Sequence, residues 1–358
     1  MKILYVAMKY DYGDPKRGTS FEHNNFYDSL SRMPEHKVIY FPFDEIMLEK
    51  GQDGMNDALL EEVRKEKPDL VFFILFTDEI KEETLKEIRD HSGAITFNWF
   101  TDDHWRFFNY SWHWAPFFHW IGTTDSQAPE RYKRIGYKNV IKTQWACNHF
   151  TYKPALTADG KLPTAYEYDV TFIGQPHSDR KKVVSKIQKA GINIQCWGHG
   201  WPNGRISQED MIKTFSKSKI NLNLTKSSGG LALKPLIKIF VKKRTDGSIH
   251  FYQPRALLDN FKSFLGQKRE QIKGRNFEIP GAGGFLLTSP ADNLEDYYIP
   301  GKEIAIFTSV QDLIEKIKYY LVHEDERERI REAGYKRTLA EHTYVHRFNE
   351  IFRIMGLI

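Results

Sequence analysis

Cysteine and long hydrophobic runs are scarce in this chain of 358 residues. The two cysteines, Cys147 and Cys196, lie too far apart for a disulfide framework and are not at the spacing of a zinc-ligand pair. A reducing compartment is the simplest explanation for so few cysteines without a disulfide pattern, so we expect a cytoplasmic protein. No apolar stretch approaches the roughly 20 residues that a membrane span needs. The opening MKILYVAMKYDYGD becomes polar too early for a signal peptide and is typical of a buried first strand.

The excess of charge is small as well. Lys and Arg number 52 and Asp and Glu 47, which gives a net charge of +5. The basic residues are dispersed and no recognition motif is present, so we do not expect a nucleic-acid partner. A mild positive excess suits an anionic small molecule or an anionic membrane surface equally well.

What the sequence does contain is a regular alternation of short apolar runs and helical patterns. Strands are expected at 1–8, 37–43, 69–75 and 94–100, and again at 168–174, 192–198, 219–225 and 284–288. Helices are expected between them, at 20–32, 56–66, 82–91, 179–190, 208–216, 310–322 and 324–342. Strands that alternate with helices of this length form parallel sheets with helices on both faces. We therefore predict an α/β protein of two Rossmann-like domains.

The predicted domains are residues 1–154 and 155–341, with the polar, Gly- and Pro-containing segment 155–168 as linker. The last segment, HTYVHRFNEIFRIM, carries an apolar stripe on one helical face. The stripe consists of Tyr344, Phe348, Ile351, Phe352 and Met355. Two placements explain it: helix 342–358 packs back on the first domain, or it is the ordinary last helix of the second.

The most informative stretch is KGRNFEIPGAGGFLLT, residues 273–288. It predicts a helix start, a glycine-rich turn and then a strand, and it is not a dinucleotide fingerprint because its glycines precede the strand. Arg275 and Glu278 are three positions apart and share a helix face. At the carboxyl end of a parallel sheet, Arg suits phosphate and Glu suits a vicinal diol, which together describe a nucleoside diphosphate site. A surface Arg–Glu pair without such a role is the alternative.

This stretch closely resembles the carboxyl-terminal signature of the CgeB-like (spore maturation protein) glycosyltransferases, relatives of glycosyltransferase family 4. The resemblance continues through 170–182, 192–201, 220–228, 297–307, 313–330 and 333–348, and WACNHFTYKP (145–154) resembles the interdomain hinge of these enzymes. It implies a GT-B fold, in which two Rossmann-like domains with parallel sheets face a central cleft. It further implies hexosyl transfer in polysaccharide biosynthesis, with a nucleotide sugar such as a UDP- or GDP-sugar as co-substrate and no metal or other cofactor.

The same resemblance assigns donor-binding roles in the second domain. Glu278 matches the ribose-binding Glu of the family, and Arg275 matches its neighbouring Arg. Arg180 matches a position expected near the diphosphate. The remaining matches are Gly174 at the end of the preceding strand and Gly198 and Gly200 in the loop near the base.

A second glutamate belongs to the family pattern Glu-x7-Glu. Glu270 satisfies this spacing with Glu278, so we include it among the donor-binding candidates. Residues 229–268, however, resemble an insertion just upstream. Glu270 as an ordinary solvated residue therefore stays the alternative.

In the first domain, the stretch 98–120 holds five of the eight tryptophans. Aromatic faces stack on sugar rings, although an aromatic core layer gives the same pattern, and we take Trp105 as an acceptor-binding candidate. Asp102 and Asp103 follow a strand and are candidates for the general base on an acceptor hydroxyl. They could instead ligate a divalent metal together with His104, or cap the next helix. We prefer the base, because GT-B enzymes usually need no metal.

The loop 11–23 precedes the first helix, and in GT-B enzymes this loop often meets the acceptor or the donor phosphate. Its candidates are Glu22 for catalysis and Arg17 and His23 for acceptor binding. Exposed charges are common in loops, so each residue alone is a weak signal.

The segment LALKPLIKIFVKKR, residues 231–244, is apolar with Lys at every fourth position. On a helix this spacing gives a basic stripe beside an apolar face, which predicts peripheral contact with an anionic membrane. An amphipathic helix packed on its own domain is the alternative.

The function expected from these features is transfer of a sugar from a nucleotide diphosphate to a glycan, lipid-linked or protein acceptor. Two alternatives remain open at this point. One is an epimerase or phosphorylase acting on a nucleotide sugar with the same fold. The other is a non-catalytic nucleotide- or sugar-binding protein of an assembly complex.

Overall fold

The computed structural model describes residues 1–154, 156–177, 179–225, 241–243, 249–251, 254–267 and 269–358. Contacts among residues divide the chain into two compact units. Unit 1 comprises Met1–Gln144, Tyr252–Ser263 and Tyr344–Ile358. Unit 2 comprises Trp145–Phe251 and Phe264–Thr343.

Unit 1 is built on a parallel sheet. Its strands are β1 (Lys2–Ala7), β2 (Lys37–Pro42), β3 (Leu70–Ile74), β4 (Ile95–Phe100), β5 (Trp120–Thr123) and β6 (Val140–Lys142), in the order β2-β1-β3-β4-β5-β6. Its first helices are α1 (Asp28–Ser31), α2 (Phe43–Glu66), α3 (Glu82–His91), α4 (Asp103–Arg106), α5 (Trp112–Trp114) and α6 (Ala128–Arg134). A π-helical turn, Glu22–Tyr27, precedes α1. The strands predicted at 1–8, 37–43, 69–75 and 94–100 are confirmed as β1 to β4, whereas β5, β6 and the helices α4 to α6 were not predicted.

The central strands of unit 1 are apolar on both faces because helices cover both faces. Every residue of β3 is buried, and Leu4, Val71 and Phe73 are fully inaccessible to solvent. Burial of a side chain of this size contributes roughly 1.5–3 kcal/mol. The continuous apolar runs in the sequence reflect this two-sided burial.

Helix α2 is longer than the predicted helix over 56–66. It begins at Phe43, and Gly51 interrupts its regular geometry with φ of 71°. Gly51 and Gly54 made the first half of this segment look like a loop, because glycine disfavours helix interiors. Burial of Phe43 and Met55 stabilises the helix in spite of them.

The last helix, Tyr344–Ile354, belongs to unit 1. Tyr344 and Phe348 contact Phe26, at ring-centroid distances of 4.7 and 6.1 Å. Phe348 also meets Phe72 edge-on at 5.8 Å. Its apolar stripe is therefore part of the core of unit 1.

Unit 2 is also built on a parallel sheet. Its strands are β7 (Tyr168–Ile173), β8 (Ile194–Trp197), β9 (Ser218–Asn223), β12 (Leu286–Thr288) and β13 (Ala305–Ile306), in the order β13-β12-β9-β7-β8. Separate from this sheet, β10 (Val241–Lys243) and β11 (Ile249–Phe251) pair antiparallel. The helices that follow in the chain are α7 (Arg180–Lys189), α8 (Gln208–Ser216), α9 (Pro254–Gly266), α10 (Arg275–Gly281), α11 (Val310–Val322), α12 (Glu324–Glu341) and α13 (Tyr344–Ile354). The predicted parallel sheet in the second half is thus confirmed.

The prediction of a helix over 231–244 is wrong where the structure can test it. Residues Val241–Lys243 form the strand β10, so Lys242 lies in extended backbone that pairs antiparallel with β11. The main-chain groups of β10 form hydrogen bonds with β11. The spacing of the Lys residues, on which the helix prediction was based, contains no information about this pairing. Residues 231–240 and Arg244 lie outside the described residues.

Candidate functional site

Arg180 lies at the point where the strand order of unit 2 reverses. The chain runs from β7 to β8 on one side, and β9 then pairs with the other side of β7. Crevices at such points, at the carboxyl ends of the strands, are where open α/β sheets bind ligands. The Arg180 guanidinium donates to the carbonyl of Gln175 after β7 (2.9 Å) and to that of Leu224 after β9 (2.6 Å). It therefore spans the reversal point.

Arg180 borders a pocket of about 150 Å³ at this end of the sheet. The loops after β7, β9, β12 and β13 all contribute to it. The lining residues are Asp179, Arg180, Val183, Leu224, Glu270, Ser289, Pro290, Phe307, Thr308, Ser309 and Val310. The pocket thus brings together a guanidinium, a carboxylate and the first turn of α11, whose N-terminal N–H groups form a positive pole.

Glu270 is among the predicted residues that the structure places in this pocket. The main-chain carbonyl of Glu270 accepts from the N–H of Asp292 at 2.9 Å, which ties the segment before α10 to the loop after β12. Arg269 pairs with the Asp292 carboxylate at 3.0 Å. Glu270 is thereby held beside the pocket that Arg180 borders.

Glu278 lies one turn into α10 and is fully buried. Tyr152 donates its hydroxyl to one carboxylate oxygen at 3.0 Å, and Arg275 forms an ion pair with the other. Removal from water lowers the pKa of the Arg275 guanidinium. The ion pair that was the alternative to donor-binding roles is present; Glu278 lies in the interior, whereas the Arg275 side chain is 30% exposed. In this conformation the carboxylate cannot meet a ribose directly, because both oxygens are occupied and neither reaches solvent.

A buried amide network fixes the start of α10 above the sheet. Asn223 at the end of β9 donates to the side-chain oxygen of Asn276 at 2.9 Å. Asn276 in turn donates to the hydroxyl of Thr288 at the end of β12, at 3.3 Å. Sequence reasoning missed this network, although a polar residue at the end of each of the two apolar strands, Asn223 and Thr288, was a visible signal.

The glycines after Glu278 allow close packing at the end of α10. A Cβ on Gly281 would lie 2.2 Å from the Cys147 sulfur, and one on Gly284 would lie 2.8 Å from the Phe215 carbonyl oxygen. Gly283 has a φ of 73°. The glycine-rich stretch is therefore a turn built for tight contact, as its position before a strand predicted.

The glycines predicted near the donor pack against one another in the β7 and β8 loops. Gly198 has a φ of 137°, and a Cβ there would lie 2.5 Å from the Gly174 carbonyl oxygen. Trp201 donates its indole N–H to the same oxygen at 2.7 Å. Gly200 borders a second surface groove with Trp201 and Lys181. These contacts show why glycine is needed there.

In unit 1, the two aspartates after β4 have different surroundings. Asp103 is fully buried and accepts a hydrogen bond from Tyr132 at 3.0 Å; burial raises its pKa to about 7. The prediction that Asp103 acts on an acceptor is corrected here, since its carboxylate does not reach the surface. Asp102 is partly exposed, 4.0 Å from His104 Nδ1, and makes no capping hydrogen bond.

Three other predicted residues lie in the loop and helical turn after β1. Burial raises the pKa of Glu22, and the neighbouring charges of Asp11 and Asp102 raise it further. Arg17 pairs with Asp11 at 2.9 Å. The His23 ring packs against the rings of Tyr27 and Tyr40, at centroid distances of 5.3 and 5.6 Å. Glu22 and Asp102 are thus brought to the same end of the sheet.

Comparison with known proteins agrees with this arrangement. Residues 180–353 match the family model described as "Glycosyl transferase-like". The matched range begins at Arg180 and contains the pocket residues from Val183 onward. The second half of the chain is therefore similar to this family.

One curated protein to which this chain is similar is the spore protein CgeB of Bacillus subtilis (strain 168). It is 23% identical over 227 residues, which cover 63% of this chain and 64% of the relative. The alignment thus spans less than two thirds of the relative's length. The similarity agrees with the CgeB-like resemblance of the signature at 273–288.

Solved structures show the fold of this chain. HepE of Anabaena in complex with UDP-glucose superposes with a TM-score of 0.61 at 10% identity, covering 100% of both chains. Sucrose-phosphate synthase of Thermosynechococcus elongatus gives a TM-score of 0.58 at 11% identity, covering 99% of this chain and 97% of the other. Both have the GT-B fold, which is also the fold of this chain.

Two properties of the described residues bear on partners. Among them, no group of three or more His, Cys, Asp or Glu side chains is arranged to hold a metal ion. Within the same residues, no helix combines the length and apolarity required to cross a bilayer.

Proposed function

We propose that the chain transfers a sugar from a nucleoside diphosphate sugar to a glycan, lipid-linked or protein acceptor. The observation that carries the proposal is the placement of Arg180 at the strand reversal of unit 2, in a pocket that also contains Glu270 and the start of α11. A guanidinium and a helix N-terminus both favour a diphosphate. The solved HepE structure named above is a complex with UDP-glucose.

For the donor, we propose that the Arg275–Glu278 ion pair opens when the nucleotide binds. The two groups neutralise each other in the interior, and each has an affinity for one half of a nucleoside diphosphate. The Glu278 carboxylate would accept from the ribose hydroxyls while Arg275 turns to the diphosphate. An exchange of this kind replaces one charged contact by two and leaves no buried charge without a partner.

For catalysis, we propose that Arg180 and Arg275 stabilise the charge that develops on the leaving diphosphate. No metal is required for that step in this proposal. Asp102 is the proposed base for the acceptor hydroxyl, because it is the partly exposed aspartate after β4. Glu22, whose pKa is raised by burial, is a further carboxylate at that end of the sheet.

Thermal unfolding with a panel of UDP- and GDP-sugars tests donor binding. A donor at 100 times its Kd stabilises the protein by about 2.7 kcal/mol, so one member of the panel should raise the melting temperature. Arg180→Gln should abolish the shift, whereas Arg134→Gln, an exposed arginine of unit 1, should leave it intact. Absence of a shift with every nucleotide sugar would contradict the proposal.

Product analysis distinguishes the alternatives. Released nucleotide and glycosylated acceptor, formed equally well with and without EDTA, are expected for a metal-independent transferase. Conversion of the donor sugar without any acceptor would indicate an epimerase instead. Binding without transfer or slow donor hydrolysis would indicate a non-catalytic protein.

We further propose that the protein contacts an anionic membrane through the region upstream of Glu270. Residues 226–269 contain ten Lys and Arg against two Asp, whereas the chain as a whole has a net charge of only +5. Within this region, α9 exposes Leu258, Phe261 and Leu265 to 66%, 49% and 47%. Basic charge beside an exposed apolar ridge favours an anionic lipid surface.

Cosedimentation with vesicles tests the membrane contact. The full chain should bind phosphatidylglycerol vesicles and not phosphatidylcholine vesicles. Deletion of 231–244 should weaken the binding, and so should the triple change Leu258→Ser, Phe261→Ser, Leu265→Ser. Unchanged binding in both variants would rule the role out.

A further inference from the structure

The strand order of unit 1 also reverses, between β1 and β3. The loops that follow these two strands meet at the carboxyl end of the sheet. Tyr12, after β1, and Phe76, after β3, are in edge-to-face contact at 5.8 Å. Their side chains are 66% and 40% exposed, unlike most aromatic side chains of this unit. Exposed rings thus mark the crevice where the topology favours a ligand.

Tyr12 adopts a backbone conformation that few residues of its kind adopt. Its φ of 54° and ψ of 31° lie in the left-handed region. A bulky side chain costs conformational free energy there, and such strain concentrates at ligand sites. Here the strained conformation accompanies contact of the Tyr12 ring with Phe76 and with the guanidinium of Arg17, 4.5 Å away.

The short helix α4 brings a cation to the same end of the sheet. The Arg106 guanidinium lies 4.0 Å from the ring centroid of Tyr110, 5.3 Å from that of Phe76 and 5.7 Å from that of Trp105. Tyr110 is itself fixed, because its hydroxyl donates to the Thr77 carbonyl at 2.7 Å. The guanidinium is therefore held in place by aromatic rings.

The donors of Arg106 are not used within the described part of the chain: its guanidinium has no hydrogen-bond or ion-pair partner there. The carboxylate of Glu79, whose pKa is raised by burial and lowered by Arg106, is bonded instead to the Thr77 N–H at 2.7 Å. Arg17 differs from Arg106, since Asp11 neutralises it. Arg106 thus keeps donors for a ligand at this edge of the sheet, among the described residues.

We propose that Tyr12, Phe76, Trp105 and Arg106, the aromatic platform, bind a sugar ring that carries an acidic group. The proposal rests on the sugar-transfer function above and names the class of its acceptor. The aromatic faces stack on the apolar face of the ring. Arg106 pairs with a carboxylate or a phosphate on that sugar, for which its planar fork of donors is suited. Asp102 and Glu22, at the same end of the sheet, accept from neutral hydroxyls.

Saturation-transfer NMR on the full chain tests the proposal with matched sugars. Methyl β-glucuronide is compared with methyl β-glucoside, and glucose 6-phosphate with glucose. At least one acidic sugar should bind about tenfold more tightly than its neutral counterpart, and the better pair shows whether carboxylate or phosphate is preferred. Equal affinities within both pairs would overturn the proposal.

Variants locate the effect. Arg106→Gln should remove the tenfold preference and leave the neutral sugars unchanged, whereas Phe76→Leu should weaken every sugar. Arg134→Gln is the matched control and should behave as the parent protein. An acidic preference that survives Arg106→Gln would overturn the assignment.

The melting shift produced by UDP-glucose, or by whichever nucleotide sugar gives one, separates this proposal from the function on which it rests. Arg106→Gln should leave that shift unchanged. Loss of the shift in this variant would assign Arg106 to the donor diphosphate and refute an acceptor role. No shift in the parent protein would refute the sugar-transfer function instead.

Discussion

The buried ion pair of α10 permits a quantitative prediction. Glu278 is fully buried, and the Arg275 side chain is 30% exposed. Glu278→Gln keeps an acceptor for Tyr152 but leaves the guanidinium without its counter-charge. Removal of one member of a buried pair costs about 3–5 kcal/mol, and partial exposure of Arg275 reduces this to about 2 kcal/mol. In a domain of this size, that loss lowers the melting temperature by about 4–8 °C.

The reverse change should cost more. Arg275→Met leaves the buried Glu278 carboxylate without its counter-charge and without access to water. We therefore expect the free energy of unfolding to fall by about 3–4 kcal/mol. The double variant Glu278→Gln, Arg275→Met should then be more stable than the sum of the single changes predicts, by about 2 kcal/mol. Glu341→Gln, which breaks the surface pair with Arg337, is the control and should cost less than about 0.5 kcal/mol.

Urea unfolding followed by tryptophan fluorescence measures all four variants. Additivity of the two single changes within about 0.5 kcal/mol would refute the reasoning, since it would mean that the pair is not coupled. The same proteins with a bound nucleotide sugar test the proposed opening of the pair. Glu278→Gln should then weaken donor affinity more than tenfold, in addition to its effect on stability.

Three further predictions concern the interior. Burial raises the pKa of Asp103 in the folded state to about 7, above its ordinary value of 3.8. The folded state therefore retains a proton that the unfolded state loses. The free energy of unfolding should fall by about 1.4 kcal/mol for each unit by which the pH rises between about pH 4 and 7. Asp103→Asn should flatten that slope in urea titrations at pH 5, 6 and 7, and an identical slope in both proteins would count against it. Gly281→Ala forces a Cβ to 2.2 Å from the Cys147 sulfur and should lower the free energy of unfolding by about 1–3 kcal/mol. Adding Cys147→Ala to this variant should recover part of the loss. An unchanged stability of Gly281→Ala would show that the turn can relax. Arg331 is 2% exposed, donates to the carbonyls of Gly283 and Pro163 and pairs with Glu328. Arg331→Met should therefore lower the free energy of unfolding by about 3–5 kcal/mol in the same assay. A loss below about 1 kcal/mol would contradict a stabilising role for this buried cation.

The sheets were predictable from the sequence because buried parallel strands leave continuous apolar runs, as in DLVFFIL before Phe76. The helix α3 was predicted with its observed bounds, Glu82–His91, since its apolar positions follow one face. The start of α2 was not, because the burial of Phe43 and Met55 depends on residues distant along the chain and outweighs the two glycines.

Sequence patterns selected Arg180 and Glu270, which the structure brings to one pocket, but they carried no information on side-chain exposure. The spacing of Arg275 and Glu278 placed them on one helix face, and an ion pair between them was the alternative to their donor-binding roles. Its burial depends on Tyr152, which lies 126 positions from Glu278, and no local pattern contains that information. Arg106 escaped notice for the same reason, since the rings that hold it come from two separate loops.

The return of α13 to unit 1 has a consequence for synthesis on the ribosome. Phe348, which contacts Phe26 and Phe72, is translated only after the residues of unit 2. Until then the amino-terminal unit presents an incomplete apolar surface, of the kind that chaperones recognise. Unit 1 is therefore expected to mature last although its strands are made first, and a fragment that ends at Gln144 should need the helical peptide 344–354 supplied in trans to fold.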